Sequence, residues 1–535
     1  MQSIEKVGVM IDCSRGGVPT TGMLKKFIDC LSEMGYNYIQ LYTEDVFSIE
    51  NEPYFGYMRG KYTQKEIAEV DRYAKDKGIE LIPCIQTLAH LTHIFRWPRF
   101  SQINDCDDIL LIDDPKTYEF VDRIFSALAK CYSSRTVHIG MDEAGRVGLG
   151  QYLKKHGYKD RISLFCKHLT KVVEIAKKYG FKPMMWSDMF FNLLGDGYST
   201  DIEINEDLKE KIPPEVTLVM WEYFKTDKEY YDRKFKNHKL FDNPLAFAAG
   251  GITWTGFCPA NKHSINAMRV SVKSCLDNGI NNAFMTLWGD NGNECSYFSA
   301  LPSLMSFAEF SRNNFDEDDI KNKFEKLFGI KFDDYMTLDA PNKIGDDEPT
   351  FNNPNKYLFY NDPFIGLFDQ YVDGKADTLY KSYSDRLNEL SNNTDFGYLF
   401  SNMKAFCDVM TIKANLGNRI REAYTNKDLD ALKFICENDL SLLAVYLERF
   451  YETFRTRWNK ENKSFGFEVH DMRFGGLIQR IKNCKRTLTE YLNGEIEDIR
   501  ELEETKLDYW GGVDRFDRHP TMYQWWYSIL TVNNV

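Results

Sequence analysis

Over roughly its first 300 residues the chain repeats one pattern: a short apolar run, then a longer segment whose apolar positions recur every three or four residues. The short runs read as buried strands at 7–13, 38–42, 80–85, 136–141, 183–186, 217–221, 247–254 and 283–288. Between them, 24–34, 64–77, 118–131 and 164–179 carry the spacing of amphipathic helices. Gly35, Gly78, Gly180 and Gly279 stand where such helices would end before the next strand. Eight βα units in this length predict a (β/α)8 TIM barrel.

Beyond Leu301 the strand rhythm stops. Ile320, Phe324, Leu327 and Phe328, then Leu379, Tyr383, Leu387 and Leu390, then Leu443, Leu447, Phe450 and Phe454 all fall at helical spacing. The chain therefore divides into a barrel over 1–310 and a mostly α-helical C-terminal domain over 311–535. The Asp-, Asn- and Pro-rich segment 338–363 is expected to be a linker or long surface loop.

Composition narrows the partners. The 535 residues carry a net charge of −13, so nucleic acid and anionic membrane surfaces are repelled rather than recruited. Twelve cysteines are scattered singly, without a CxxC pair or a Cys/His cluster, and read as reduced core thiols rather than metal ligands. The N-terminus lacks an apolar signal region and no apolar run approaches the roughly 20 residues that span a bilayer. A soluble, cytoplasmic protein without a cofactor or bound metal is expected.

The working residues of such a barrel lie just after its strands. In order these are Arg15, Glu44 and Asp45, Gln86 and His90, Asp142 and Glu143, Trp186 and Asp188, Trp221, Glu222 and Tyr223, Trp254, and finally Trp288, Asp290 and Glu294. Four tryptophans at the ends of strands five to eight, interleaved with acids, describe a walled pocket for a flat, neutral, hydroxyl-bearing ligand. A sugar ring fits: its C–H faces pack on aromatic rings while Asp, Glu and Arg pair its hydroxyls.

With a sugar in place the adjacent acids acquire a mechanism. Glycoside cleavage normally sets two carboxylates on opposite sides of the anomeric carbon, and consecutive residues at one strand end cannot easily do that. The alternative is a substrate that supplies its own nucleophile, the carbonyl oxygen of a 2-acetamido group. Glu143 is then the acid/base, and Asp142 holds the acetamido N–H and steadies the developing positive charge.

The run His138-Ile-Gly-Met-Asp-Glu143 resembles the H-x-G-x-D-E signature of glycoside hydrolase family 20, the exo-acting β-N-acetylhexosaminidases. The resemblance covers about residues 5 to 305, and the intracellular bacterial type with a helical C-terminal domain resembles the remainder. It implies a retaining enzyme that releases terminal β-linked GlcNAc or GalNAc from a glycan or oligosaccharide through an oxazolinium intermediate. It also implies that Arg15 binds hydroxyls of the terminal sugar and that Thr43-Glu44-Asp45 corresponds to the family's T-D-D. His90 links to the general acid, Trp186, Trp221 and Trp288 wall the pocket, and Asp290 or Glu294 grips O4 and O6. Two departures touch the site itself. The stretch before His90 reads Pro83-Cys-Ile-Gln-Thr-Leu-Ala, where the family has an acid and a glycine. No tyrosine follows strand seven, which reads Thr253-Trp-Thr-Gly-Phe, so Tyr223 is taken as the donor to the acetamido oxygen.

Two rival readings stay open: a metal-dependent barrel hydrolase using His138 with Asp142 and Glu143, and a non-catalytic sugar-binding barrel. The simpler reading of His138 is a core histidine bracing the loop. In the C-terminal part, Arg457-Trp458 through Arg473-Phe-Gly-Gly476 reads as an interhelix loop packed on the barrel. A sharper reading lets it border the pocket of its own or of a partner subunit, which keeps a homodimer among the expectations.

Overall fold

The computed structural model describes residues 3–344, 353–372, 374–392, 395–513 and 525–533. Eight parallel strands close into a barrel: β1 (Lys6–Asp12), β2 (Tyr38–Tyr42), β3 (Glu80–Cys84), β4 (Thr136–His138), β5 (Lys182–Trp186), β6 (Thr217–Trp221), β7 (Leu245–Gly250) and β8 (Asn282–Leu287). Each strand pairs with the next in sequence, and β1 pairs with β8, placing Val9 between Ile39 and Met285. The strands read as continuous apolar runs because both of their faces are buried, as in β2, where all five residues are enclosed. The barrel interior is filled by Met10, Tyr38, Tyr42, Ile82, Cys84, Met184, Trp186, Val219, Ala246, Ala248 and Phe284.

Helix ends sit where capping chemistry puts them. The helix Thr21–Met34 starts three residues before the expected position because the Thr20 side chain accepts the Met23 N–H. Asp114 with Pro115, and Asp160, likewise start Pro115–Cys131 and Arg161–Lys178 early. Gly35 closes the first helix in the left-handed region, and Gly78, Gly180 and Gly279 share that conformation.

Two strands end several residues before their expected ends. β4 ends at His138 rather than Met141, because Gly140 and Met141 both adopt positive φ and turn the chain out of the sheet. β7 ends at Gly250 rather than Trp254. An unanticipated two-stranded hairpin, Asn104–Cys106 with Ile109–Leu110, lies between β3 and β4.

The chain forms two compact units, one of residues 1–251, 264–288 and 303–316, the other of 252–263, 289–302 and 317–535. The segments after β7 and β8 thus belong to the second unit, an interleaving that a single linear boundary at 310 does not express. The second unit is largely helical, and Leu443, Leu447, Phe450 and Phe454 are buried in it. Within the expected linker, Pro354–Tyr360 is a helix with every residue buried, and residues 345–352 lie outside the described residues. Asn355 within that helix is held in place, its Oδ1 accepting the Phe257 N–H at 2.9 Å.

The aromatic stretch at 457–476 is the end of one long helix, Leu440–Glu461, and the start of another, Phe467–Leu492, rather than a loop. Trp458 is completely enclosed between Phe454, Phe467 and His470 within that unit, and its Nε1–H donates to Lys463 O at 3.1 Å. Trp458→Ala is therefore expected to destabilise the helical unit by about 3–5 kcal/mol, read as a lower urea midpoint, instead of raising KM alone. All twelve cysteines are free thiols. Among the described residues no helix is long and apolar enough to cross a membrane.

Candidate active site

The turn after β4 is built around Gly140. Its φ is +69°, and a Cβ there would lie 2.1 Å from Gln86 Oε1 and 2.8 Å from Ile85 O, so only glycine leaves room for both. His138 braces the turn from beneath. Its ring packs 4.4 Å from that of Trp186, its Nδ1 accepts the Gly140 N–H at 3.1 Å, and burial pushes its pKa down to about 3. A neutral imidazole with Nδ1 committed to the backbone in this way braces the turn from within the core. Among the described residues no group of three or more His, Cys, Asp and Glu side chains is placed to hold a metal ion.

Met141 (φ +71°) and Glu143 (φ +51°) also occupy the left-handed region, as do Glu44 (φ +43°) and His90 (φ +56°). Each such side chain costs on the order of 1–3 kcal/mol, strain that persists only where surrounding contacts enforce it and that collects at functional sites. The enforcing contacts are visible. Gln86 donates through Nε2 to Asp142 Oδ1 at 2.7 Å and to the Tyr42 hydroxyl at 3.0 Å, and accepts the Met141 N–H at 3.2 Å. Asp188 Oδ2 accepts the Glu143 N–H at 3.0 Å. Asp108, at the hairpin turn, accepts the His90 N–H at 2.9 Å.

A connected chain of polar contacts runs from this turn to β1. His90 Nε2 lies 3.2 Å from Asp142 Oδ2 and 3.6 Å from Glu143 Oε2. The Tyr42 hydroxyl donates to Glu44 Oε1 at 3.1 Å, and the same oxygen pairs with Arg15 at 3.2 Å. Asp45 is held by Arg59 at 2.9 Å, and Arg59 also donates to the Ser14 carbonyl.

The electrostatics separate the adjacent acids. Burial favours the neutral form of Asp142, but the His90 charge and the hydrogen bonds from His90 and Gln86 outweigh it and hold the carboxyl below its ordinary range. His90 is the counterpart: burial works against its charge, Asp142 prevails, and the imidazole is raised to about 10. Glu143 sits at the barrel mouth, where desolvation by the surrounding protein and then the charge of Asp142 raise its pKa. Asp188, fully enclosed, is pushed up to about 8 by burial and then by Asp142. Two adjacent acids whose pKa values are pushed apart, one down and one up, form an arrangement suited to proton transfer next to a negative charge.

Aromatic rings complete the wall. Trp221 stacks with Tyr198 at 4.6 Å and with Tyr223 at 5.3 Å. Trp288 donates from Nε1 to the Tyr223 hydroxyl at 3.1 Å and meets Tyr42 edge-on at 4.9 Å. Trp186 is buried beneath them with its ring 6.1 Å from that of Trp288.

Residues 7–239 match the sequence profile of the glycosyl hydrolase family 20 catalytic domain, and residues 333–519 match that of the glycoside hydrolase 20C C-terminal domain. The chain belongs to glycoside hydrolase family 20. This family-20 chain is 25% identical over 200 residues to Beta-hexosaminidase 3 of Arabidopsis thaliana, covering 35% of the chain and 37% of that protein. It is 21% identical over 218 residues to Hexosaminidase D of Homo sapiens, covering 39% and 43% respectively. The chain thus spans about two-fifths of the length of these relatives. A crystal structure of a GH20 exo β-N-acetylglucosaminidase from Vibrio harveyi in complex with N-acetylglucosamine has 16% identity and a TM-score of 0.47, over 61% of this chain and 58% of that one.

Of the residues expected from the family-20 signature, the first unit brings Arg15, Glu44, Asp45, His90, Asp142, Glu143, Trp186, Trp221, Tyr223 and Trp288 to one end of the barrel. Trp254, Asp290 and Glu294 belong to the second unit. Trp254 is buried there. Glu294 is also buried, with its carboxylate paired to Lys356 at 2.7 Å and Arg473 at 2.8 Å, whereas Asp290 is partly exposed. Sequence spacing alone gives no role to Gln86, Tyr42, Asp108, Asp188 or Tyr198. Gln86 and Asp188 stood among the strand-end residues, which was the available signal; the others depend on contacts that no spacing reveals.

Proposed function

We propose that this family-20 chain is an exo-acting, retaining β-N-acetylhexosaminidase that removes terminal β-linked GlcNAc or GalNAc from glycans by substrate-assisted catalysis. The observation that carries the reading is the split between neighbouring acids: His90 and Gln86 hold Asp142 below the ordinary carboxylate range, while desolvation and the charge of Asp142 raise Glu143 above it. The hexosaminidase names of its relatives support it.

In this scheme the terminal sugar lies against Trp288 and Trp221, with Arg15 and Glu44 available to its hydroxyls. Glu143 gives its proton to the glycosidic oxygen as the C1–O bond breaks. The acetamido carbonyl oxygen closes on C1 from the opposite face, forming an oxazolinium ring. Asp142 accepts the acetamido N–H, aims that oxygen and offsets the positive charge on the ring. The Tyr223 hydroxyl is assigned to the acetamido oxygen. Glu143, now a carboxylate, takes a proton from water as that water attacks C1 and the bond from C1 to the acetamido oxygen breaks, reopening the acetamido group with configuration retained. No metal or cofactor takes part. The twelve free thiols support a cytoplasmic location, and the acidic surface supports neutral glycans rather than nucleic acid as partners.

Release of nitrophenol from the β-N-acetylglucosaminide or β-N-acetylgalactosaminide tests the reading. Turnover that survives EDTA and is blocked by a thiazoline analogue of the oxazolinium is the expected result. Loss of turnover in EDTA would favour the metal hydrolase, and sugar binding without turnover the non-catalytic barrel.

The pKa directions also fix the pH profile. Asp142 must be ionised, so kcat/KM is expected to fall as pH drops through its depressed pKa. Glu143 must be protonated, so kcat/KM is expected to fall as pH rises through its raised pKa. The plateau between them should be displaced upward on its basic side relative to an ordinary glutamate, which a pH–rate profile of kcat/KM reads directly.

A further inference from the structure

We propose that Asp188 is a positioning residue for the general acid: its carboxylate clamps the backbone of Glu143 and thereby sets the direction of the Glu143 side chain. This rests on the hexosaminidase reading of Glu143, which gives no part to Asp188.

Three observations converge on it. Glu143 has φ +51°, a conformation its own side chain disfavours, and Asp188 Oδ2 holds its N–H at 3.0 Å. Because Glu143 is largely exposed at the barrel mouth, its own carboxyl has few enforcing neighbours beyond His90 at 3.6 Å, so the backbone is where its direction can be fixed. Asp188 itself is rigidly placed. It follows Trp186 at the end of β5, is completely enclosed, and receives a second hydrogen bond at 3.3 Å from Asn192 one turn along its own helix, Asp188–Leu194.

The other oxygen, Oδ1, is buried without a hydrogen-bond partner, which is costly for a carboxylate and less so for a carboxylic acid. The charged and titratable groups that face Asp188 are Asp142 and Glu143 from the β4 turn, with Tyr198 also close enough to feel its charge. None supplies a cation, so ionising Asp188 would set a third negative charge beside the two working acids. Its pKa of about 8 keeps it neutral through the range where Glu143 must stay protonated. The clamp is thus an acceptor that adds no charge at the pH of turnover.

Two substitutions separate these features. Asp188→Ala removes the acceptor. Asp188→Asn keeps an acceptor oxygen for the Glu143 N–H, puts an NH2 where the protonated oxygen stood, and cannot ionise. With Asp188→Ala, kcat/KM on a substrate with a poor leaving group is expected to fall by up to about 100-fold, the scale of a misplaced catalytic group. The fall should be much smaller on the 2,4-dinitrophenyl glycoside, which needs no proton, and Asp188→Asn should recover most of the loss. A merely structural role would lower both substrates alike, and an asparagine variant as poor as alanine would overturn the clamp.

Hydrogen–deuterium exchange of the Glu143 amide gives a readout independent of activity. Protection is expected to be lost in Asp188→Ala and kept in Asp188→Asn, and unchanged protection in the alanine variant would overturn the proposal. If the wild-type protein cleaved no β-N-acetylhexosaminide, the functional reading would fall, while amide exchange would still decide whether Asp188 holds Glu143. Should the alanine variant not fold, Asp188→Ser, whose hydroxyl is too short to reach the amide, is read in the same way.

Discussion

Glu143→Gln is expected to lose about 10²- to 10⁴-fold in kcat/KM on glycosides with poor leaving groups, the usual range for a positioned general acid. Glutamine fills the same space and can keep hydrogen bonds, so the fold and the Asp188 contact to the backbone should survive. What it cannot do is give up a proton. The loss should therefore shrink as the leaving group becomes more acidic and approach wild type for 2,4-dinitrophenol. Because kcat/KM reports only steps up to the first irreversible one, it isolates formation of the oxazolinium. On the activated substrate kcat should still fall, since the same side chain must later take a proton from water. A uniform loss across leaving groups would mean that Glu143 is not the acid. The basic limb of the pH profile offers a second check. It belongs to the raised pKa of Glu143, so it should disappear in the glutamine variant.

The barrel was legible because a parallel strand buried on both faces leaves an unbroken apolar run, and β2, β3, β5 and β6 lie within a residue or so of their expected positions. Helix starts were less legible, since apolar periodicity does not register a capping Thr20 or Asp160 that precedes it. The end of β4 was hidden for a sharper reason. Ile139 and Met141 are as apolar as the strand they follow, and only the left-handed turn at Gly140 and Met141 shows that the chain has already left the sheet. The pair Asp142 and Glu143 could be found from sequence, but what distinguishes its members could not. That depends on Gln86 and His90 reaching Asp142, on Asp188 reaching a backbone N–H, and on Asp108 arriving from a two-stranded hairpin too short to leave a pattern. Glu294 illustrates the same limit in the helical unit. Its position after β8 resembles that of a sugar-binding carboxylate, and its partners Lys356 and Arg473 come from far along the chain.

Asp142→Asn tests the other half of the pair. The amide oxygen can still accept the Gln86 N–H, so the turn should hold. The charge opposite the oxazolinium is gone, and with it a contact that strengthens as the ring closes. Removing one such preorganised group typically costs about 10²- to 10³-fold in kcat. Unlike the Glu143 variant, this loss is expected at every leaving group, because the acetamido oxygen must attack whichever group departs. Two further consequences follow from the coupling with its neighbours. His90 owes most of its raised pKa to Asp142, with the Glu44 charge adding to it, so in Asp142→Asn its NMR titration should move well down from about 10. Glu143 owes part of its raised pKa to the same charge, so the basic limb of the pH profile should move to lower pH. A variant that kept a high His90 pKa would show that some other group, not Asp142, keeps the imidazole charged. A leaving-group dependence matching that of Glu143→Gln would remove the division of labour between the two acids.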